Sequence, residues 1–191
     1  KVRIIGGEWR SRRIDFPDNA DLRPTPDRVR ETVFNWLGQD LSGKTCLDLF
    51  AGSGALGFEA ASRGARQVVM VERDAQIFRA LEATHMNLVA VNVELVRAEA
   101  LAFLRADARR YDVVFLDPPY HLNLLPRLLP LMPSHLGGGS RVYLESDRLP
   151  ELPQIAINLS LPATGGSDIA KEFARHIRQE FRARFGSLPE P

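Results

Sequence analysis

Two stretches of the chain hold side chains of the types and spacing that do chemistry. In the first, Asp48-Leu49-Phe50-Ala51-Gly52-Ser53-Gly54-Ala55-Leu56-Gly57, an acid precedes a glycine pattern of the G-x-G-x-x-G kind. Glycines so spaced let backbone approach a ligand while the amides of a helix N-terminus point at it. The pattern alone is weak, since it suits any dinucleotide. Asp48 narrows it, because a carboxylate there repels a diphosphate and attracts a ligand carrying an ammonium and a sulfonium, the charge pattern of S-adenosylmethionine. Asp48, Phe50, Ala51, Gly52, Ser53 and Gly54 are therefore expected around a methyl donor.

The second stretch is Asp117-Pro118-Pro119-Tyr120. Two successive prolines remove two backbone donors and fix the turn, which leaves carbonyls as rigid acceptors. An exocyclic amino group on a nucleobase is a poor nucleophile, its lone pair being delocalised into the ring. Hydrogen bonds from its N–H groups to the Asp117 carboxylate and the Pro118 carbonyl would hold it and aim that lone pair at a donor methyl. Tyr120 would stack on the base once it leaves the nucleic-acid stack. The methylated amine is cationic and loses a proton easily, so no strong general base is needed. Asp117, Pro118, Pro119 and Tyr120 form the expected catalytic set, with Asp117 also beside the donor. Guanine N2, adenine N6 and cytosine N4 all offer such an amino group, and these residues leave the choice open. Alone, the motif reads equally well as a stiff loop or a proline-rich peptide ligand; its place at the end of a strand decides.

The elements that must position both stretches alternate regularly. Apolar strands read at about 44–49, 67–72, 92–97, 111–117 and 140–145, and helical stretches at about 53–63, 74–89, 98–108 and 121–132. This spacing implies an α/β fold, a largely parallel sheet with helices on both faces. Ligands bind such sheets at the strand C-terminal ends, near the reversal of strand order. Both motifs end strands, so they must face a common cleft. Glu72 ends the second strand, where an acid can accept both ribose hydroxyls of an adenosine. Arg73 stands beside it, and Asp74 can cap the following helix by itself. Glu99 and Ala100 follow the third strand within reach of an adenine amino group, although a helix dipole also favours a glutamate there.

Composition bounds the rest. A chain of 191 residues with 45% apolar content buries one sizeable core. A formal charge of +1 gives no global nucleic-acid signature, but Lys1, Arg3, Arg10, Arg12 and Arg13 crowd the N-terminus against Glu8 alone. With Val2–Ile5, the Gly6-Gly7 turn, Trp9 and Phe16, residues 1–20 read as a basic β-hairpin extension, RNA-contacting or merely solvated, ahead of a methyltransferase domain over 21–191. Leu22-Arg23-Pro24-Thr25-Pro26 stiffens the entry to a helix, Thr25 capping and Pro26 at its first position. Val29, Val33, Phe34 and Leu37 share one face, displaying Arg23, Arg28 and Arg30. The expected RNA contacts are Arg3, Trp9, Arg10, Arg12, Arg13, Arg23, Thr25, Arg28 and Arg30. Cys46 is alone, which excludes a disulfide framework and fits a reducing cytoplasm. His85, His121, His135 and His176 are scattered, so no metal is expected, and neither a membrane span nor a signal peptide is legible.

Together these residues resemble the bacterial 16S ribosomal RNA guanine-N2 methyltransferases of the RsmD type. The likeness rests on Arg3–Arg10, Leu22–Thr25, Asp27–Leu37, the glycine turn, Asp117–Tyr120 and Tyr143-Leu144-Glu145-Ser146. It implies a Rossmann-like class I methyltransferase fold, methylation of a guanine N2 in small-subunit ribosomal RNA during assembly, S-adenosylmethionine as donor, and 16S ribosomal RNA within the subunit as partner; a monomer is expected. The tail departs from the pattern. Such folds finish with an antiparallel strand pair, whereas Gln154–Leu161 supplies one strand, and in 162–191 Ile169, Phe173, Ile177, Phe181 and Phe185 mark an amphipathic basic helix. A DNA adenine-N6 methyltransferase, a nicotinamide oxidoreductase and a non-catalytic RNA-binding assembly factor are the competing readings.

Overall fold

The computed structural model of the chain describes residues 1–17, Leu22 and residues 25–145. Arg23, the expected strand over 154–161 and the atypical segment 162–191 lie outside them. The chain opens with a short antiparallel pair, β1 (Val2–Arg3) and β2 (Arg13–Ile14), followed by α1 (Asp27–Leu37). Strands and helices then alternate as β3 (Thr45–Asp48), α2 (Ala55–Ser62), β4 (Gln67–Glu72), α3 (Ala75–Leu88), β5 (Val93–Arg97), α4 (Ala100–Ala106) and β6 (Tyr111–Leu116). After β6 come a 3-10 turn (Tyr120–Leu122), α5 (Leu125–Leu128), a second 3-10 stretch (Leu129–His135) and β7 (Leu136–Leu144). The five long strands pair in parallel in the order β5-β4-β3-β6-β7, so the order reverses between β3 and β6.

Strands with helices on both faces bury every side chain, which is why Val68, Val69, Met70 and Val71 run apolar without alternation. Alternation still sorts them between two cores. Cys46, Met70, Phe115 and Tyr143 face α1, α2 and α3; Leu47, Val71, Leu116 and Leu144 face α4 and α5.

The N-terminal pair is bolted onto the first of these cores, with Ile4, Trp9 and Ile14 buried inside it. Glu59 of α2, wholly buried, accepts the Ile5 and Gly6 amides at 2.8 Å each and pairs with Arg63 at 2.8 Å and Arg30 at 3.6 Å. Ser62 accepts the Trp9 amide at 2.9 Å and donates to the Gly6 carbonyl at 2.6 Å. Gly7 closes the contact at φ +76°, where a Cβ would sit 1.9 Å from the Ser62 carbonyl oxygen. Only glycine fits there.

Three expectations need correction. Thr25 does not cap α1: Pro26 occupies the cap position, and no side-chain hydrogen bond caps the helix. The helix expected over 121–132 is one α turn between two 3-10 stretches, because Pro126, Pro130 and Pro133 withhold the amides a continuous helix needs. The last strand begins at Leu136, not 140. Its ladder jumps from Tyr111↔Leu136 to Val113↔Arg141, and Ser140 bridges the irregularity by accepting the Gly137 amide and donating to the Tyr111 carbonyl, both at 2.7 Å.

Candidate active site

The register sets the site. Asp48, at the top of β3, pairs with Met70 on β4 and Phe115 on β6. Two residues further up those strands stand Glu72 and Asp117. On β7, Leu144 pairs with Leu116, and the Glu145 amide donates to the Leu116 carbonyl at 2.9 Å, so Glu145 is level with Asp117. Alternation puts all four on the face of Met70, Phe115 and Tyr143. Four adjacent strands thus present a row of carboxylates, Glu72, Asp48, Asp117 and Glu145, at the C-terminal rim where the strand order reverses, and Asp48 forms its floor.

The glycine turn closes over one end of this row. Gly54 caps α2 at φ +80°, with the Phe58 ring 2.6 Å from where a Cβ would stand. The Gly57 amide donates to Asp48 at 2.9 Å, and the Gly52 amide donates to Glu72 at 3.0 Å. Leu22 lies over the turn, its Cδ1 3.0 Å from the place a Gly52 Cβ would take. Asp74 caps α3 through the Gln76 and Ile77 amides at 2.8 and 2.9 Å, as expected.

Electrostatics follow from the row. Burial pushes the Asp48 carboxyl up to about 7, the Glu72 charge adding to the rise while the Gly57 and Phe50 amides oppose it. Burial also lifts Asp117 to about 7, with the Glu145 and Asp48 charges behind it. A ligand bringing positive charge relieves both groups and fits this well; a diphosphate does not. Among the described residues, no group of three or more histidine, cysteine or acidic side chains could hold a metal ion, and no helix is long and apolar enough to cross a membrane.

Other expected cofactor residues surround the rim. Ala51 and Ser53 are buried in the turn, Phe50 is half-buried, and Arg73 is exposed beside Glu72. Glu99 is the exposed cap of α4, accepting the Ala102 amide at 2.9 Å, and Ala100 is buried behind it. Pro118 is buried and Pro119 half-buried after β6, and the Tyr120 backbone opens the 3-10 turn.

The expected RNA contacts divide. Arg3, Arg10, Arg12, Arg13 and Arg28 are exposed. Arg3 and Arg13 line a cleft of about 370 Å³ with Thr25, and Arg10 borders another of about 520 Å³ with Asn35, Gln39 and Arg63. Arg3 pairs with Asp27 at 3.2 Å, and Arg12 donates to the Asn87 carbonyl at 2.8 Å. Trp9 and Arg30 are corrections. Trp9 is 7% exposed and packs in the core, so no face of it is open for stacking. Arg30 is wholly buried, donating to the Arg3 carbonyl at 2.9 Å and Asp27 at 2.5 Å, because the core beneath the hairpin needs a cation opposite Glu59.

Sequence reasoning missed Glu145, Glu59, Ser62 and Leu22. An acid two places beyond an apolar strand residue was a legible signal for Glu145, as it was for Asp117. Glu59 sits inside an otherwise apolar helix, which marks a buried partner.

Comparison with known proteins agrees with this fold. The family described as conserved hypothetical protein 95 matches residues 2–166. Ribosomal RNA small subunit methyltransferase D of Escherichia coli strain K12 is 41% identical over 163 residues, 84% of this chain and 82% of that protein. The protein of the same name from Haemophilus influenzae is 40% identical over 154 residues, 78% and 80% of the two chains. The solved structure of Escherichia coli yhhF superposes with a TM-score of 0.73 at 41% identity, covering 80% of this chain and 85% of that one. The chain therefore belongs to the conserved hypothetical protein 95 family, alongside relatives named ribosomal RNA small subunit methyltransferase D.

Proposed function

We propose that this chain transfers the methyl group of S-adenosylmethionine to the N2 amino group of a guanine in 16S ribosomal RNA. One observation carries the reading: Asp48 beside the glycine turn and Asp117 beside the double proline stand at the same end of neighbouring parallel strands. The relatives' names supply the RNA and the subunit.

S-adenosylmethionine supplies, when bound, an electrophilic methyl group on a sulfonium. The turn over Phe50, Ala51, Gly52, Ser53 and Gly54 holds the donor by backbone contact. Glu72 accepts its ribose hydroxyls, with Arg73 at the edge, and Glu99 and Ala100 meet the adenine. Asp48 offsets the donor's positive charge from below. Asp117 and the Pro118 carbonyl accept the N–H groups of the target amine and aim its lone pair, Pro119 keeps that acceptor pair rigid, and Tyr120 stacks on the base. A carboxyl that titrates near 7 also suits Asp117 to take the proton the methylated amine gives up.

Residues 1–20 serve as a basic extension of the methyltransferase domain over 21–191. Arg3, Arg10, Arg12 and Arg13 supply phosphate contacts from a frame clamped to α2, Arg28 adds one from α1 with Thr25 just before it, and Arg23, outside the described residues, is expected to join them. The enzyme acts as a monomer in the cytoplasm, on the assembling small subunit. Labelled S-adenosylmethionine, incubated with small-subunit RNA and with particles, tests this reading. Label is expected on a single guanine N2. Label on adenine N6 of duplex DNA instead, or binding of NAD without S-adenosylhomocysteine, would refute it.

A further inference from the structure

Of the motifs that set this chain apart, Tyr143-Leu144-Glu145-Ser146 has no part in the chemistry above. The end of β7 gives it one. The pairing of Val113 with Arg141 through Leu116 with Leu144 carries on one step, as the Glu145 amide donates to the Leu116 carbonyl at 2.9 Å. Glu145 therefore stands beside Asp117 across a strand spacing of about 4.8 Å, on the same face, since Phe115 and Tyr143 below them share one core. The Tyr143 hydroxyl, on a side chain only 8% exposed, donates to Glu145 Oε2 at 3.0 Å and orients the carboxylate. Asp117 feels the Glu145 charge. With the Pro118 carbonyl, the two carboxylates in register at the rim make three acceptors, one more than the two N–H groups of an amino group require.

The edge of a base tells what the second acceptor is for. In adenine and cytosine, the ring nitrogen next to the amino-bearing carbon on the pairing edge carries a lone pair. In guanine, the ring nitrogen next to the 2-amino group carries a hydrogen. Guanine alone offers two donors side by side there, N2–H and N1–H.

We propose that Glu145 is a specificity-determining residue, its carboxylate accepting N1–H of the target guanine while Asp117 and the Pro118 carbonyl accept from the 2-amino group. This rests on the reading of the site as a guanine N2 methyltransferase, and it explains the choice of base that the Asp-Pro-Pro-Tyr turn leaves open. An adenine or cytosine would set a lone pair against the carboxylate where guanine sets a donor, and a half-buried site holds little water to relieve that repulsion.

The test uses 2-aminopurine, which keeps the 2-amino group, replaces N1–H with a lone pair and lacks O6, so the change in preference on substituting Glu145, rather than the preference itself, reads N1–H. Mass spectrometry first locates the guanine that the wild-type protein methylates in small-subunit RNA. RNA carrying guanine or 2-aminopurine at that place is then compared for wild type and Glu145→Gln, with S-adenosylhomocysteine affinity and melting temperature measured alongside. Glutamine can turn its amide donor to the 2-aminopurine lone pair. Wild type is expected to prefer guanine by about 100-fold or more, and Glu145→Gln to cut guanine kcat/KM by roughly 10–100-fold, as loss of a charged hydrogen bond does. The 2-aminopurine rate should hold or rise, so the preference falls at least tenfold, with cofactor affinity unchanged. If the two substrates lose rate equally, or neither does, Glu145 does not read N1–H and the proposal is overturned. If wild type methylates no guanine, the reading of the site falls first, and this assignment with it.

Discussion

Glu72 accepts the Gly52 amide at 3.0 Å with one carboxylate oxygen and the Asp74 amide at 2.8 Å with the other. The acid at the end of β4 thus braces the glycine turn of the neighbouring strand while standing where ribose hydroxyls would come. Removing it loses both the brace and the acceptors. Glu72→Ala should weaken S-adenosylhomocysteine binding by about 10–100-fold in titration calorimetry, the range for one charged hydrogen bond. Affinity within twofold of wild type would show that the acid has no part in the pocket.

The carboxyl row makes binding a proton-linked event. Asp48 and Asp117, both raised to about 7, hold protons near neutrality that a cation would expel. At pH 6.5, S-adenosylmethionine should release more protons than S-adenosylhomocysteine, which lacks the sulfonium charge. Calorimetry in buffers of different ionisation enthalpy reads this difference; equal release for the two would contradict it. The same shifts fix the sign of two pH trends. Transfer at limiting S-adenosylmethionine, which reports the free protein, should rise with pH up to about 7 and then level, because the protonated Asp117 cannot serve as an anionic acceptor. Stability runs the other way. Between the ordinary carboxylate pKa near 4 and the raised values near 7, the folded chain holds protons that the unfolded chain does not, so this contribution is lost as pH rises through that window.

Among the described residues, Glu59 is the one counter-charge of Arg63 and one of two for Arg30, and all three side chains are buried. Arg30 Nε and Nη1 already lack a hydrogen-bond partner. Glu59→Ala leaves the buried Arg63 without its counter-charge and Arg30 with Asp27 alone, and should cost about 3–5 kcal/mol in urea unfolding. A change below 1 kcal/mol would show that the cluster does not hold the hairpin to α2.

Gly7 and Gly138 make a matched pair. Gly7→Ala puts a Cβ 1.9 Å from backbone at a positive φ, whereas around Gly138 nothing lies within 4 Å. Gly7→Ala should lose at least about 2 kcal/mol, or roughly 4–8 °C in melting temperature, with Gly138→Ala close to neutral. Equal effects would place the hairpin away from Ser62.

The legible parts of the chain were those in which local chemistry and tertiary role coincide. Apolar runs gave the strands, and a glycine turn and a double proline at strand ends gave the rim, because backbone conformation at those points is set by residue type alone. What stayed hidden depends on partners distant in sequence. Trp9 and Arg30 read as surface residues from their neighbours, yet Ser62 and Glu59, more than 25 residues away, draw them inside. Glu145 stands between the two: an acid at a strand end is legible, but its meaning comes from its register against Asp117, and register is a property of the folded sheet.

The central claim is that Asp117 acts on the acceptor base from the rim that holds the donor. Asp117→Ala, assayed for S-adenosylhomocysteine binding and for single-turnover methyl transfer to small-subunit RNA, addresses it most directly. Cofactor affinity is expected to stay within about twofold, with transfer reduced by roughly 100–1,000-fold or more, the loss seen when one preorganised hydrogen-bond partner leaves a reacting centre. Transfer near the wild-type rate would contradict the account.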